Sequence, residues 1–166
     1  GTAGFAHVSC LAEQAKILFA EAVENNLGVK AFNARWQRWD TCSLCEQKYH
    51  GDVRCALGWA AWKTYVGRPE GDRSRSMAMG LLGIGLSEAE HNEDALSVKE
   101  AELSLERRLG ASERNILAMQ GNLASTYEKL GKHDQALRMK REVYYGCLKL
   151  NGKEHGDSLV AATNYA

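Results

Sequence analysis

The sequence predicts an all-α protein built from tandem antiparallel helical hairpins. Three observations carry that prediction. Pro69 is the only proline in 166 residues, as suits a chain of helix interiors, which proline breaks. Apolar residues recur three and four positions apart in several long segments. A pattern of small and large residues then repeats after a step of about 41–42 residues, the mark of a repeat architecture.

The elements follow in order. The segment from about Ser9 to Asn25 reads as a helix, with Leu11, Ala15, Leu18, Phe19 and Val23 at helical spacing. Asn25-Asn26-Leu27-Gly28 ends it, and Gly28 is the candidate C-cap. Ala31–Trp39 reads as a short helix with Phe32, Trp36 and Trp39 on one side. A turn at His50-Gly51-Asp52 leads into a helix over Val53–Tyr65, with Leu57, Ala60, Ala61 and Tyr65 inside. Gly67-Arg68-Pro69-Glu70-Gly71-Asp72 is the clearest break, and the domain boundary is expected there. The expected organisation is therefore a finger-like module over residues 1–50, a connecting helix and linker over 51–72, and helical repeats over 73–166.

Beyond the break, Leu82-Gly83-Ile84-Gly85-Leu86 is followed by Asp94-Ala95-Leu96, and Leu123-Ala124-Ser125-Thr126-Tyr127 by Gln135-Ala136-Leu137. Asn122-Leu123-Ala124 recurs as Asn164-Tyr165-Ala166, and Gly110 as Gly152. Each unit is a helix, a tight turn (Glu90-His91-Asn92, then Gly131-Lys132-His133) and a return helix. Small residues at Gly83, Ala124, Ala95 and Ala136 allow close helix crossings, and Leu86 and Tyr127 fill the space one turn on. These positions resemble the tetratricopeptide consensus, and the long period resembles its kinesin-light-chain variety. The first unit departs from the pattern, with Glu90 in place of the turn glycine, and is expected to act as a cap. The last hairpin is expected to be cut off within its first helix.

Lysine plus arginine balance aspartate plus glutamate, 21 against 21, so no charge excess argues for nucleic acid or a membrane surface. Arg35, Arg38, Lys48, Arg54 and Lys63 lie among tryptophans, but Asp40, Glu46 and Asp52 dilute that basic character. Trp36, Trp39, Trp59 and Trp62 are expected in a packed core rather than a ligand cage. Apolar runs such as Met79–Ile84 are too short to span a bilayer. The first residue is not expected to be the native start, so the missing leader carries little; a cytoplasmic location is expected. No GxSxG, P-loop or dinucleotide fingerprint occurs, and the chain is expected to supply no catalysis of its own. His91, His133 and His155 fall at turns and are expected in solvent.

Five cysteines, Cys10, Cys42, Cys45, Cys55 and Cys147, are odd in number and unevenly spaced, which argues against a disulfide framework. Cys42-Ser-Leu-Cys45 lacks the strand–helix context of a thioredoxin-type pair and reads as metal binding. With His7-Val-Ser-Cys10 it makes two pairs at zinc-ligand spacing. Gly1-Thr-Ala-Gly-Phe-Ala-His7-Val-Ser-Cys10, a helix, then Trp39-Asp-Thr-Cys42-Ser-Leu-Cys45 resemble the last two of the four ligand pairs of a RING-CH finger. That resemblance implies that His7, Cys10, Cys42 and Cys45 ligate zinc in a complete finger. Its cross-brace implies that the two pairs serve different ions, so each lacks its partner here, and truncation is the expected reason. Completion of a site by His50 and Cys55 is not expected, and Cys147 is expected to pack in a repeat helix.

Two functions follow as expectations. The first is a protein-interaction module that holds a protein or peptide on the concave repeat face. Asn122, Ser125 and Lys129 fall on one helical stripe, and the repeat resemblance places Asn122 toward the peptide groove. The second is implied by the finger: a ubiquitin-ligase-like parent that docks a ubiquitin-conjugating enzyme. The alternative to both halves acting together is a repeat scaffold whose degenerate finger binds no metal.

Overall fold

The computed structural model describes residues 6–166. The described residues form α1 (Val8–Glu24), α2 (Val29–Trp36), a 3₁₀ turn (Gln37–Trp39), α3 (Gly51–Tyr65), α4 (Arg73–Glu88), α5 (Asn92–Arg108), α6 (Glu113–Lys129), α7 (His133–Asn151) and α8 (Gly156–Tyr165). The fold is all-α, with helices packed as sequential hairpins. Its single β-bridge among the described residues pairs Thr41 with Lys48. The chain forms two compact units that divide between His91 and Asn92. The Gly67–Asp72 break thus lies within the first unit, as the loop of the α3–α4 hairpin.

The core of the first unit is aromatic. Phe19 on α1 meets Phe32, Trp36 and Tyr65 edge-on, with ring centroids 4.8, 4.9 and 5.8 Å away. Such tilted contacts set the positive edge of one ring against the negative face of another. Trp39 is fully buried, and Trp36 and Trp62 pack on the same cluster. Trp59 departs from the expected packing and is exposed. On α1 the buried positions are Ala15, Phe19 and Ala22, whereas Val23 is exposed. Gly28 is not the cap of α1. Asn25 takes that position and Asn26 the left-handed conformation at φ 47°, which asparagine tolerates better than most residues. Gly28 instead precedes α2 as its N-cap.

The helix expected as a connector, α3, packs closely along α4. A Cβ on Gly58 would lie 2.9 Å from the Leu82 Cα, and one on Gly85 would lie 2.8 Å from the Cys55 Cα. Reciprocal glycines therefore bring two backbones into contact. Arg54 closes the same junction: Nη2 lies 2.6 Å from Asp40 Oδ1 and Nη1 pairs with Glu88. One buried guanidinium thus ties the loop before α3 to the end of α4. Asp72 starts α4, its carboxylate accepting from the N–H groups of Ser74 (2.8 Å) and Arg75 (3.3 Å), an N-cap arrangement.

In the second unit, Leu96 and Leu103 of α5 pack with Leu123 of α6, joined by Ile116, Tyr127 and Met139. Leu117, Cys147 and Ala161 join α6, α7 and α8. Ser158 donates to the Cys147 carbonyl at 3.1 Å and fixes α8 on α7. Ala124 and Ala136 are 1 % exposed.

The repeat register is written into the turns. Glu90 and Gly131, aligned by sequence, sit at φ 63° and 68°. The following N–H groups make matching bonds: His91 to the Leu86 carbonyl (3.0 Å) and Lys132 to the Tyr127 carbonyl (2.9 Å). This six-to-one closure satisfies the carbonyls left over at a helix C-terminus. Glu90 holds the conformation for which glycine is the usual residue. Gly110 and Gly152 also correspond, at φ 74° and 81°.

Candidate functional site

Two places combine accessibility with chemistry. The first is a groove in the second unit, about 520 Å³ in volume, between α6, α7 and α8. Leu117, Ala118, Val143, Cys147, Val160 and Ala161 give it apolar walls, and Asn115, Asn151 and Asn164 add carboxamides. Arg114 and Asp157 pair across it at 3.2 Å, with His155 Nδ1 3.6 Å from the same carboxylate. Gly121 lies in the groove with no atom within 4 Å of where its Cβ would stand. A neighbouring cleft of about 70 Å³ continues along Ser125, Glu128, Lys140 and Asn164, where Lys140 and Glu128 pair at 2.6 Å.

Of the stripe expected to face a peptide, Ser125 lines this second cleft. Asn122 and Lys129 are exposed on α6, outside the walls of both cavities. The groove side of α6 is instead Arg114, Ala118, Gly121, Ser125 and Glu128, which sequence reasoning missed apart from Ser125. The recurrence of Asn122 as Asn164 was the one signal that pointed to α8, and Asn164 lines both cavities.

An ionisable cluster lies beside this unit's α5–α6 contact. Lys99 Nζ donates to Thr126 Oγ1 at 2.8 Å. Burial lowers the Lys99 pKa, and the Lys129 charge adds to that effect. Burial, with the Glu106 charge adding to it, pushes Glu102 up to about 7.

The second place is the loop between Trp39 and α3. Besides the Thr41–Lys48 bridge, Cys42 N–H donates to the Gln47 carbonyl (2.9 Å), Glu46 N–H to the Cys42 carbonyl (3.1 Å), and Tyr49 N–H to the Asp40 carbonyl (2.9 Å). Glu46 turns the chain at φ 57°. Leu44 N–H reaches Cys42 Sγ at 3.4 Å. Cys42 is held below the usual thiol range, chiefly by the Cys45 N–H, then by the Leu44 N–H and the Cys45 thiol. Tyr49 is raised by burial and by the facing Cys42. Tyr49 was not foreseen from the sequence, because only the hairpin brings it back to Cys42.

His7 stands at the N-cap of α1 without a side-chain capping bond, and Cys10 is exposed one turn on; both belong to the described residues, whereas Gly1–Phe5 of the finger-like motif lie outside them. Among the described residues no three His, Cys, Asp or Glu side chains come together to hold a metal. Four-ligand zinc sites therefore do not fit the described residues, which provide at most a pair at one place. Cys55 is buried at the α3–α4 crossing and His50 lies 3.9 Å from Glu88, so neither completes the Cys42–Cys45 pair. Cys147 is buried in the groove floor.

No family profile and no curated protein matches the chain. Among solved structures the chain is similar to BtubC (BKLC) from P. vanneervenii, a kinesin-light-chain-like repeat protein, with a TM-score of 0.60 and 13% identity. The fold is a tetratricopeptide-like helical repeat. The match covers 95% of this chain and 62% of the BtubC chain, so the present chain spans less than two thirds of that protein. A repeat of this type accounts for the matched turns and the paired small residues. The comparison gives no support to a RING-CH finger. No described helix is long and apolar enough to cross a membrane.

Proposed function

We propose that the second unit is a protein-interaction module that takes a peptide segment along the groove between α6 and α8. The observation that carries this is the groove itself: apolar walls for a side chain, with carboxamides at Asn115, Asn151 and Asn164 able to bond a peptide backbone. Asn122, Ser125 and Lys129 would flank the bound segment. Peptides selected on the intact chain from a displayed random library provide the test. Val160→Glu, at an exposed wall position, should abolish their binding. Arg138→Glu with Arg141→Glu, on exposed α7 positions outside the groove, should leave it unchanged. The opposite pattern would overturn the assignment.

The finer expectation, zinc held by His7, Cys10, Cys42 and Cys45 in a ubiquitin-ligase-like parent, is supported by the sequence resemblance alone. Zinc content of a chain extended upstream, intact and with Cys42 and Cys45 changed to serine, decides it. Equal zinc in the two would end the finger reading, and with it the reason to expect a ubiquitin-conjugating enzyme as partner.

A further inference from the structure

We propose that the cavity between α5, α6 and α7 binds a small amphiphilic monocarboxylate, its apolar body on Leu103, Leu123 and Met139 and its carboxylate on Arg107 and Arg108. This goes beyond the peptide groove and is independent of it. Leu123 lies two residues on from the groove-lining Gly121, roughly 200° around α6, so the two cavities open on different sides of that helix.

Size and lining carry the first half of the assignment. The cavity holds about 570 Å³, the size of a small-molecule site. Leu103 of α5 and Leu123 of α6 are core residues, 5 % and 2 % exposed, and form its apolar floor. Met139 of α7 lines it as well and is half-buried. Its unbranched thioether chain adapts to a guest more readily than a branched side chain does. Tyr127 completes the lining from α6. Its hydroxyl donates to the Glu100 carboxylate, which ties α5 to α6 beside the cavity.

Charge decides what the apolar floor takes. Arg107 and Arg108 line the cavity from exposed positions at the C-terminal end of α5, and Glu100 lines it two turns earlier. Two turns are roughly 10 Å along the helix, so the lining is acidic at one end and basic at the other. The Tyr127 hydroxyl already engages the acidic end. Two arginines against one glutamate leave a single positive charge among the lining residues, which matches a monoanion. Guanidinium forks match a planar carboxylate in geometry as well as in charge. An uncharged apolar chain makes no use of the basic end, and a cationic head is repelled from it.

Methionine-methyl NMR of the full chain tests this, with sodium decanoate below its micelle concentration as the probe. Decanoate should shift the Met139 methyl signal saturably, while the Met77 and Met79 signals of the first unit stay in place. Met139→Leu assigns the signal. Decanol should bind at least about tenfold more weakly, as should decanoate to a chain carrying Arg107→Gln with Arg108→Gln. Arg138→Gln with Arg141→Gln removes the same charge from exposed α7 positions outside the cavity and should leave the affinity unchanged. Circular dichroism of both arginine variants checks that the helices persist. A Met139 signal that does not saturate, or that moves together with Met77 and Met79, would overturn the proposal. So would equal affinities for decanoate and decanol, or for the wild-type chain and the Arg107–Arg108 variant, since each shows adsorption without recognition of the carboxylate.

Discussion

Replacing Gly85 with alanine should destabilise the first unit, although alanine is the better helix former. The added Cβ would stand 2.8 Å from Cys55 Cα and 2.9 Å from the Arg54 carbonyl oxygen. Both are backbone atoms of α3 and cannot rotate aside, so the two helices must separate by several tenths of an ångström. That movement also pulls Arg54 against Asp40 and Glu88. Overpacking of this kind costs roughly 1–3 kcal/mol, and backbone contacts below 3 Å belong at the upper end. Helix propensity returns about 1 kcal/mol. The net loss is about 2 kcal/mol, or roughly 8–16 °C in melting temperature for a unit of this size. All the tryptophans, Trp36, Trp39, Trp59 and Trp62, lie in the first unit, so urea unfolding followed by tryptophan emission reads that unit selectively. Gly121→Ala is the control. It is interior to α6 with open space at its Cβ position, and should stabilise the second unit by about 0.5–1 kcal/mol, read by circular dichroism. Gly85→Ala unfolding at or above the wild-type urea midpoint would show that α3 and α4 do not cross at these glycines.

Glu102→Gln should raise stability at pH 8 and change little at pH 4. The folded pKa, about 7 against the ordinary glutamate value of 4.5, means that the folded state holds the proton more tightly. Its stabilising contribution is full below pH 4.5 and is lost as pH rises through 7, by about 3 kcal/mol at most; denaturation midpoints of the variant that track wild type across this range would contradict it. Ala124→Leu and Ala136→Leu should each cost roughly 1–3 kcal/mol, because both sites are fully enclosed; unchanged thermal melts would show that the hairpin register is wrong. Arg54→Met should destabilise the first unit by about 3 kcal/mol, since it leaves two partly buried carboxylates without their cation; a wild-type urea midpoint by tryptophan emission would rule that out.

The local features of this chain were legible in the sequence because they depend on residues close together along it. Ala15 and Phe19, or Leu57 and Ala61, fall on one helical face whatever that face meets. The equivalence of Glu90 with Gly131 came from the repeat alone, and the left-handed turn at both follows from the need to close a helix C-terminus. The aromatic core around Phe19 could be anticipated from the density of tryptophan near it. Only the tertiary structure decided which surfaces meet. Gly58 and Gly85 matter because each faces a backbone from another helix, and neither glycine carries a signal of that by itself. Helical spacing put Asn122, Ser125 and Lys129 on one stripe of α6; in the structure Ala118 and Gly121 line the groove between α6, α7 and α8, and Ser125 lines the neighbouring cleft. Helical periodicity fixes which residues share a stripe, but not which stripe a neighbour leaves open. The Cys42 loop makes the same point. The CxxC spacing was read as a zinc-ligand pair, whereas the Leu44 N–H reaches Cys42 Sγ in a loop shaped by the turn at Glu46 and the Thr41–Lys48 bridge. Spacing along a chain limits which atoms can meet; the fold decides which of them do.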